Sequence, residues 1–163
     1  MSHNLPSFTS AWLYFSEINV PVSDVGRIIG GNVKINIDSG VFQNACAIRF
    51  SYVLNKCGLK IKKSAKYASV SGADKNQYLY RVNDMISYLR DQFGKPTKEV
   101  PQPKPDDFSK QKGILVFVGS GWSNASGHIT LWNSVKCSDS CYFLNSPSNG
   151  TFQPSKGLLW ELK

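Results

Sequence analysis

The stretch Phe42-Gln-Asn-Ala-Cys-Ala-Ile-Arg-Phe-Ser-Tyr-Val-Leu-Asn-Lys-Cys-Gly58 decides the fold, because its pattern is that of a buried helix. Asn44 suits the start of the helix, and Gly58 suits the position just past its end. Apolar residues recur at helical spacing along one face: Cys46, Phe50, Val53 and Cys57. The pattern therefore predicts a core helix with Cys46 in its first turn.

Two interpretations of Cys46 compete. At the start of a helix the unpaired N–H groups and the positive end of the dipole favour a thiolate, which is the nucleophilic form of cysteine. Free cysteines are, however, commonly small buried apolar residues. Cys57 belongs with that second group, because it lies at the helix C-terminus, where the dipole opposes a thiolate. Cys46 needs a base nearby before the catalytic interpretation holds.

Length and charge narrow the class of protein. The 163 residues suit one domain, 1–163, with a sizeable core. Nineteen Lys and Arg against 11 Asp and Glu give a net charge of +8, which favours anionic partners. No RNP, zinc-finger or helix-turn-helix signature is present, and no aromatics alternate with the lysines, so charge is the only argument for nucleic acid. No apolar run suits a membrane span, and the N-terminus lacks a Sec-type signal.

Helices are expected first and strands afterwards. The helical segments are 7–18, 23–29, 42–58 and 74–93, while 32–38 fits either a helix or a strand. Residues 59–73 and 95–112 are expected to be extended or loop. The strands are 113–118, 128–133, 142–144 and 158–160. This order predicts an α+β fold with a mostly antiparallel sheet.

The chain has two histidines, and one of them suits a catalytic base. His3 lies in an N-terminus that is expected to fray. His128 opens a strand after a glycine-rich loop, with His128, Thr130 and Trp132 on one face by alternation. An imidazole beside Cys46 can take the thiol proton and later protonate a leaving amine. The backbone N–H of Cys46 is a candidate oxyanion donor.

A third group is needed to orient the His128 ring, and the sequence offers three candidates for this role. Asn133 is five residues along the strand, so its side chain points to the opposite face. Asp139 lies in a short loop that could direct its carboxylate back at His128. Asn145, near the end of the next expected strand, is the amide alternative. We favour Asp139 over Asn145.

The four cysteines fall into two pairs. Cys46 and Cys57 are about 16 Å apart along one helix, so they cannot bond to each other. Cys137 and Cys141 bracket a polar loop that can close as a disulfide. A structural zinc site needs four Cys or His ligands, which the chain does not supply at any suitable spacing.

These segments together resemble the fourth family of type VI secretion amidase effectors, which are NlpC/P60-like cysteine peptidases with a papain-like core. The matching segments are 43–49, 51–55, 71–74, 80–82, 127–132 and 137–141, and the similarity extends from near the N-terminus to the end of the chain. The resemblance implies Cys46 as nucleophile, His128 as base and Asp139 as acid. It also implies a Cys137–Cys141 disulfide, and neither a metal nor a cofactor.

The resemblance also implies an activity and partners. The activity is hydrolysis of the γ-D-glutamyl–meso-diaminopimelate amide in peptidoglycan stem peptides. The partners are the type VI secretion machinery and a cognate immunity protein that blocks the active site. Delivery into a rival's periplasm would reconcile the missing signal peptide with a cysteine pair suited to an oxidising compartment.

Two rival hypotheses remain open on the sequence alone. The first is a basic binding module for nucleic acid or anionic glycan, in which Cys46 is merely part of the core. The second is a cysteine transamidase, in which the same thiol and imidazole transfer the acyl group to an amine instead of water.

Overall fold

Five α-helices and six β-strands make up the part of the chain that the computed structural model describes, residues 4–123 and 125–163. The helices are α1 (Phe8–Ile18), α2 (Val22–Ile29), α3 (Gly31–Asp38), α4 (Cys46–Lys56) and α5 (Val82–Phe93). The strands are β1 (Ser69–Ser71), β2 (Gln77–Leu79), β3 (Lys98–Pro101), β4 (Gly113–Ser120), β5 (Gly127–Trp132) and β6 (Gln153–Glu161). His3 lies outside the described residues. None of the described helices is long and apolar enough to cross a membrane.

The main sheet has four strands in the order β3-β6-β4-β5, and every neighbouring pair is antiparallel. Its two faces contribute to different apolar cores. Ile129 and Leu131 of β5 face the core formed with the helices. Trp132 of the same strand faces a second core, formed with the segments that follow β5 and precede β4. The α+β fold with an antiparallel sheet is therefore confirmed, and β5 lies at one end of the sheet.

Helix α4 is the buried helix expected from the sequence, and nine of its residues are buried. The prediction of Asn44 as the N-cap was wrong by one residue, because the N-cap is Ala45. Asn44 lies just before it, and its Oδ1 accepts a hydrogen bond from the Cys46 N–H at 2.9 Å. The end of the helix is followed by Gly58 at φ +87°, the left-handed conformation that favours glycine after a helix. Within the helix, the buried Ser51 hydroxyl accepts the Leu79 N–H at 2.9 Å, which fixes β2 against α4.

Two predicted elements differ from the structure on the helical side. Residues 32–38 lie in α3, so the helical interpretation of that ambiguous segment holds. The predicted helix 74–93 was wrong at its start, because α5 begins only at Val82. Asp74 instead stabilises the turn of the β1–β2 hairpin, where its carboxylate accepts hydrogen bonds from the Asn76 backbone and the Tyr78 hydroxyl.

Two further differences lie on the sheet side. The predicted strand 142–144 was wrong: Phe143 is buried in the second core, and the Leu144 N–H donates to Pro103 O at 2.8 Å rather than to a strand neighbour. Its apolar residues pack on the face of the sheet instead of extending its edge. The predicted loop 95–112 contains β3, which pairs with β6.

Candidate active site

The Cys46 side chain lies against β5 at the end of the sheet. The Ile129 N–H donates to Cys46 Sγ at 3.1 Å, and Sγ lies 3.6 Å from Ile129 O. These contacts join the first residue of α4 to the residue that follows His128. The helix start and the strand therefore bring the thiol and the imidazole together.

His128 is held by Asp139. His128 Nε2 lies 2.7 Å from Asp139 Oδ2, and the two side chains are only 12% and 15% exposed. Because Nε2 is engaged by the carboxylate, Nδ1 is the ring nitrogen left for Cys46. The order thiol, imidazole, carboxylate is the one in which a carboxylate fixes the ring for proton transfer at its other nitrogen.

The charges of these three groups support one another. Burial by itself lowers the pKa of His128, but the negative charge on Cys46 and the hydrogen bond to Asp139 outweigh it and hold that pKa well above its usual value. Burial likewise raises the pKa of Asp139, but hydrogen bonds from His128 and Thr130 outweigh it and keep that pKa below its usual value. The site therefore favours a protonated His128 imidazole paired with the Asp139 carboxylate.

A disulfide closes the loop that carries Asp139. Cys137 and Cys141 are bonded, with their Cα atoms 5.5 Å apart. The loop is also anchored to β5, because the Ser138 N–H donates to Leu131 O at 2.8 Å and Ser138 Oγ accepts the Leu131 N–H at 3.2 Å. The covalent ring and this strand-like pairing together fix the position from which Asp139 reaches His128.

Thr130 completes the network around the carboxylate, a role that was not predicted from the sequence. Its hydroxyl donates to Asp139 Oδ1 at 2.6 Å and lies 3.1 Å from Ser138 Oγ. With His128 on Oδ2, both oxygens of the carboxylate are hydrogen-bonded. The signal was present in the alternation of β5, which places Thr130 on the same face as His128.

The other two candidates for the third role lie elsewhere. The Asn133 Oδ1 accepts the backbone N–H groups of Val135 and Lys136 and so stabilises the turn after β5. Asn145 is exposed and has φ +63°, as expected in a turn. Of the three candidates, Asp139 is the residue that lies beside the His128 imidazole.

The candidate oxyanion donor is already engaged. The Cys46 N–H points at Asn44 Oδ1, so a substrate oxygen would have to replace that side chain to use it. Asn44 lines the same cavity as the thiol, which means that its amide can meet a ligand directly. The sequence pattern around Asn44 predicts only a helix cap and gives no sign of this position on the cavity wall.

A cavity of about 420 Å³ opens over these groups. Cys46, His128 and Asp139 lie on its wall together with residues from the α1–α2 turn and the loop before β5. Tyr142 packs edge-on against His128, with ring centroids 4.8 Å apart, and Trp122 packs edge-on against Tyr142. These aromatic rings shield the imidazole from water on one side and leave the thiol side open.

The described residues do not form a set of ligands for a metal ion at this cavity. Within residues 4–123 and 125–163 no three His, Cys, Asp or Glu side chains cluster in a way that could hold a metal ion. A second concavity, of about 340 Å³, lies away from Cys46 and is lined by the lysines at 60, 62, 63 and 66. Its charge is partly neutralised, since Lys66 pairs with Asp91 at 2.8 Å.

The fold and the site together define a papain-like cysteine hydrolase of the NlpC/P60 type: a cysteine at the start of a core helix faces a histidine on an antiparallel sheet. Comparison with known families is more specific. Residues 42–160 match the family described as type VI secretion system (T6SS), amidase effector protein 4. The chain belongs to this family and is therefore an amidase effector of type VI secretion.

Solved structures agree with this assignment. The chain is similar to the effector Tae4 from Salmonella typhimurium, solved in complex with the immunity protein Tai4 from Enterobacter cloacae, with 57% identity, 97% and 99% of the two chains covered, and a TM-score of 0.95. It is also similar to Tae4 from Enterobacter cloacae, solved alone, with 49% identity, both chains covered completely, and a TM-score of 0.93. No curated protein matched the chain.

Proposed function

We propose that this chain hydrolyses the amide between the γ-D-glutamyl and meso-diaminopimelyl residues of peptidoglycan stem peptides, with Cys46 as nucleophile, His128 as base and acid, and Asp139 as the group that orients His128. The observation that carries this proposal is that Cys46, His128 and Asp139 lie on the wall of one open cavity, with His128 hydrogen-bonded to Asp139. The two apolar cores share one sheet, which supports treating residues 1–163 as a single amidase domain.

The first half of the reaction acylates the enzyme. The Cys46 thiolate attacks the γ-carbonyl carbon, a C–S bond forms, and the carbonyl electron pair moves to oxygen. The Cys46 N–H stabilises that oxyanion once the substrate has replaced Asn44 Oδ1. When the C–N bond breaks, the His128 imidazolium protonates the diaminopimelyl amine, which leaves as a neutral amine.

The second half restores the enzyme. Neutral His128 takes a proton from water, and the resulting hydroxide attacks the thioester carbon. The C–S bond breaks, the γ-glutamyl group is released as a carboxylic acid that loses its proton to solvent, and the thiolate reforms beside the protonated imidazole. Asp139 keeps its negative charge throughout and holds Nε2, so that Nδ1 exchanges protons in both halves.

We further propose that the active-site cavity is the surface a cognate immunity protein blocks. The effector Tae4 of Enterobacter cloacae has been solved in complex with the immunity protein Tai4. Its structure matches nearly the whole of this chain with a TM-score of 0.96. The net charge of +8 favours an acidic partner. The site of action would be the periplasm of the target cell, where stem peptides are accessible and a disulfide persists.

Mass spectrometry of muropeptides tests the reaction. Wild-type protein should release products that end in a free γ-glutamyl carboxylate, and Cys46→Ser should release none. A product carrying an added amine instead of water would replace hydrolysis with transamidation. Intact muropeptides after prolonged incubation would contradict the proposed substrate.

Directed expression in bacteria tests the compartment. The chain should lyse cells when it is given an export signal and should be much less toxic without one, because both substrate and oxidant lie outside the cytoplasm. The Cys46→Ser variant with the same export signal is the control for toxicity due to export itself. Equal killing from the cytoplasm would contradict a cell-wall substrate and favour nucleic acid as the target of the basic surface.

A further inference from the structure

A single arginine on the cavity wall has no role in the proposed reaction. Arg49 lies three residues after Cys46 on α4, about 4.5 Å along the helix axis and on the same side of the helix. It lines the cavity that contains the thiol and the imidazole. Its Nη2 donates to Val20 O at 2.8 Å, which fixes the guanidinium against the α1–α2 turn.

The other donors of this guanidinium form no hydrogen bond within the described residues. Nε of Arg49 is buried without a hydrogen-bond partner. Arg49 takes part in none of the ion pairs within residues 4–123 and 125–163. The one acidic side chain on the cavity wall is Asp139, and both of its oxygens are bound by His128 and Thr130. On the cavity wall, therefore, Arg49 is a cation that forms no ion pair with another described side chain.

An unpaired, partly buried guanidinium selects a particular ligand chemistry. Arginine stays charged at all accessible pH values, and its planar donors match the two oxygens of a carboxylate. Because this guanidinium lines the cavity and forms no ion pair within the described residues, it can pair with a charged group of a ligand. A carboxylate close to the reacting carbonyl would meet both requirements.

We propose that Arg49 binds a free carboxylate of the stem peptide next to the amide that is cleaved, and so selects substrates that carry that charge. This inference rests on the proposed function. Two groups have the right chemistry: the α-carboxylate of the γ-D-glutamyl residue on the acyl side, and a carboxylate of the diaminopimelyl residue on the amine side. In either case Arg49 would place the γ-carbonyl against Cys46 by holding a charge a few bonds away.

Three matched peptides test the proposal: the natural L-Ala-γ-D-Glu-diaminopimelate tripeptide, the same peptide with the glutamyl α-carboxyl group amidated, and the same peptide with a diaminopimelyl carboxyl group amidated. Wild-type protein should cleave one amidated peptide with a kcat/KM that is lower by about 10- to 100-fold, the effect of losing a charged hydrogen bond. Which amidation has this effect identifies the carboxylate that is bound.

The Arg49→Gln variant gives the decisive comparison. It should lower kcat/KM for the natural peptide by the same factor and cleave the sensitive amidated peptide as well as wild type does. Arg49→Lys should keep part of the preference, because it keeps the charge but loses the planar fork. Arg27→Gln removes an exposed arginine outside the cavity, whose side chain pairs with Asp24, and should change neither value.

Three results would decide against the proposal. If Arg49→Gln lowers kcat/KM by the same factor for all three peptides, Arg49 serves only to stabilise the α1–α2 turn through its hydrogen bond to Val20 O. Wild-type protein that cleaves all three peptides equally would exclude a carboxylate site and leave the proposed function intact. Wild-type protein that cleaves none of them would overturn the proposed function itself.

Discussion

The Thr130 hydroxyl donates to Asp139 Oδ1 at 2.6 Å, two residues along β5 from the histidine that binds Oδ2 of the same carboxylate. One strand thus fixes both the imidazole and the group that orients it. His128 and Thr130 are two residues apart on the same face of β5. The geometry of their two contacts with Asp139 therefore depends on one short backbone segment. Thr130 is a positioning residue in this arrangement, since it acts on the imidazole through Asp139.

Thr130→Val should therefore lower kcat while the fold persists. Valine has nearly the shape of threonine but cannot donate to Asp139, and loss of a hydrogen bond to a charged group corresponds to about a tenfold effect or more. The pH–rate profile should shift as well, since a less firmly held carboxylate stabilises the His128 imidazolium less. Thr130→Ser is the matched control, because it keeps the hydroxyl that donates to Asp139. An unchanged pH profile in Thr130→Val would contradict the positioning role.

Cys46→Ser and His128→Ala should each abolish hydrolysis. Both residues serve one proton-transfer unit, so the double variant should be no worse than either single variant. Single-turnover assays on stem peptides measure the loss, and circular dichroism checks the fold. Residual activity above a few per cent in Cys46→Ser would reassign the nucleophile.

Asp139→Asn should lower kcat by about 100-fold or more, because the amide can hold the imidazole in the wrong tautomer. Asn145→Ala should have a mild effect, since Asn145 lies in an exposed turn. The two variants are compared at saturating substrate so that binding does not contribute. The opposite ranking would transfer the third role to Asn145.

Reduction of the Cys137–Cys141 bond, or its replacement by two serines, should lower turnover more than it lowers Tm. A bond that closes so short a loop contributes about 2 kcal/mol in the chain-entropy estimate. The loop also holds Asp139, and a misplacement of about 1 Å at a catalytic group can cost about 100-fold in rate. Thermal melting and kcat are measured on the same preparations. A parallel loss of both would mean that the ring serves stability alone.

Alkylation by iodoacetamide at pH 6 should modify Cys46 and spare Cys57. The raised pKa of His128 keeps the imidazole positively charged at and above its usual value of 6.5, and a positive charge beside a cysteine increases its reactivity towards alkylating reagents. Burial raises the pKa of Cys57 to about 11, which keeps that thiol protonated. Peptide mapping identifies the labelled residue, and His128→Ala should abolish the selectivity. As pH rises above the pKa of His128, the imidazole loses its charge and the difference between wild type and His128→Ala should shrink.

Local patterns predicted the helix and the strand that carry the reacting groups. The helical spacing of α4 and the glycine after it placed Cys46 correctly, because both signals depend only on neighbouring residues. The alternation of β5 placed His128 and Thr130 on one face for the same reason. The part of the site that depends on local backbone geometry was therefore accessible from sequence.

The features that could not be predicted from the sequence depend on tertiary packing. Asp74 has the pattern of a helix cap, but its carboxylate is used in the β1–β2 turn, and the helix starts at Val82. Phe143 suits a strand by composition, yet it is buried on the face of the sheet. Arg49 is visible as a cation on α4, but its lack of an ionic partner depends on what the α1–α2 turn and the disulfide loop bring near it.

The position of β5 at the end of the sheet has a consequence for self-association. An end strand leaves backbone groups open to pairing with another chain, and such edges promote aggregation. Here the outward Ile129 N–H donates to Cys46 Sγ. The Leu131 N–H donates to Ser138 Oγ, and Leu131 O accepts the Ser138 N–H. The Cys46 thiol and the disulfide loop thus also cover the edge. A Cys46→Ala protein, which frees the Ile129 N–H, should form oligomers at lower concentration than Cys46→Ser, although both are inactive.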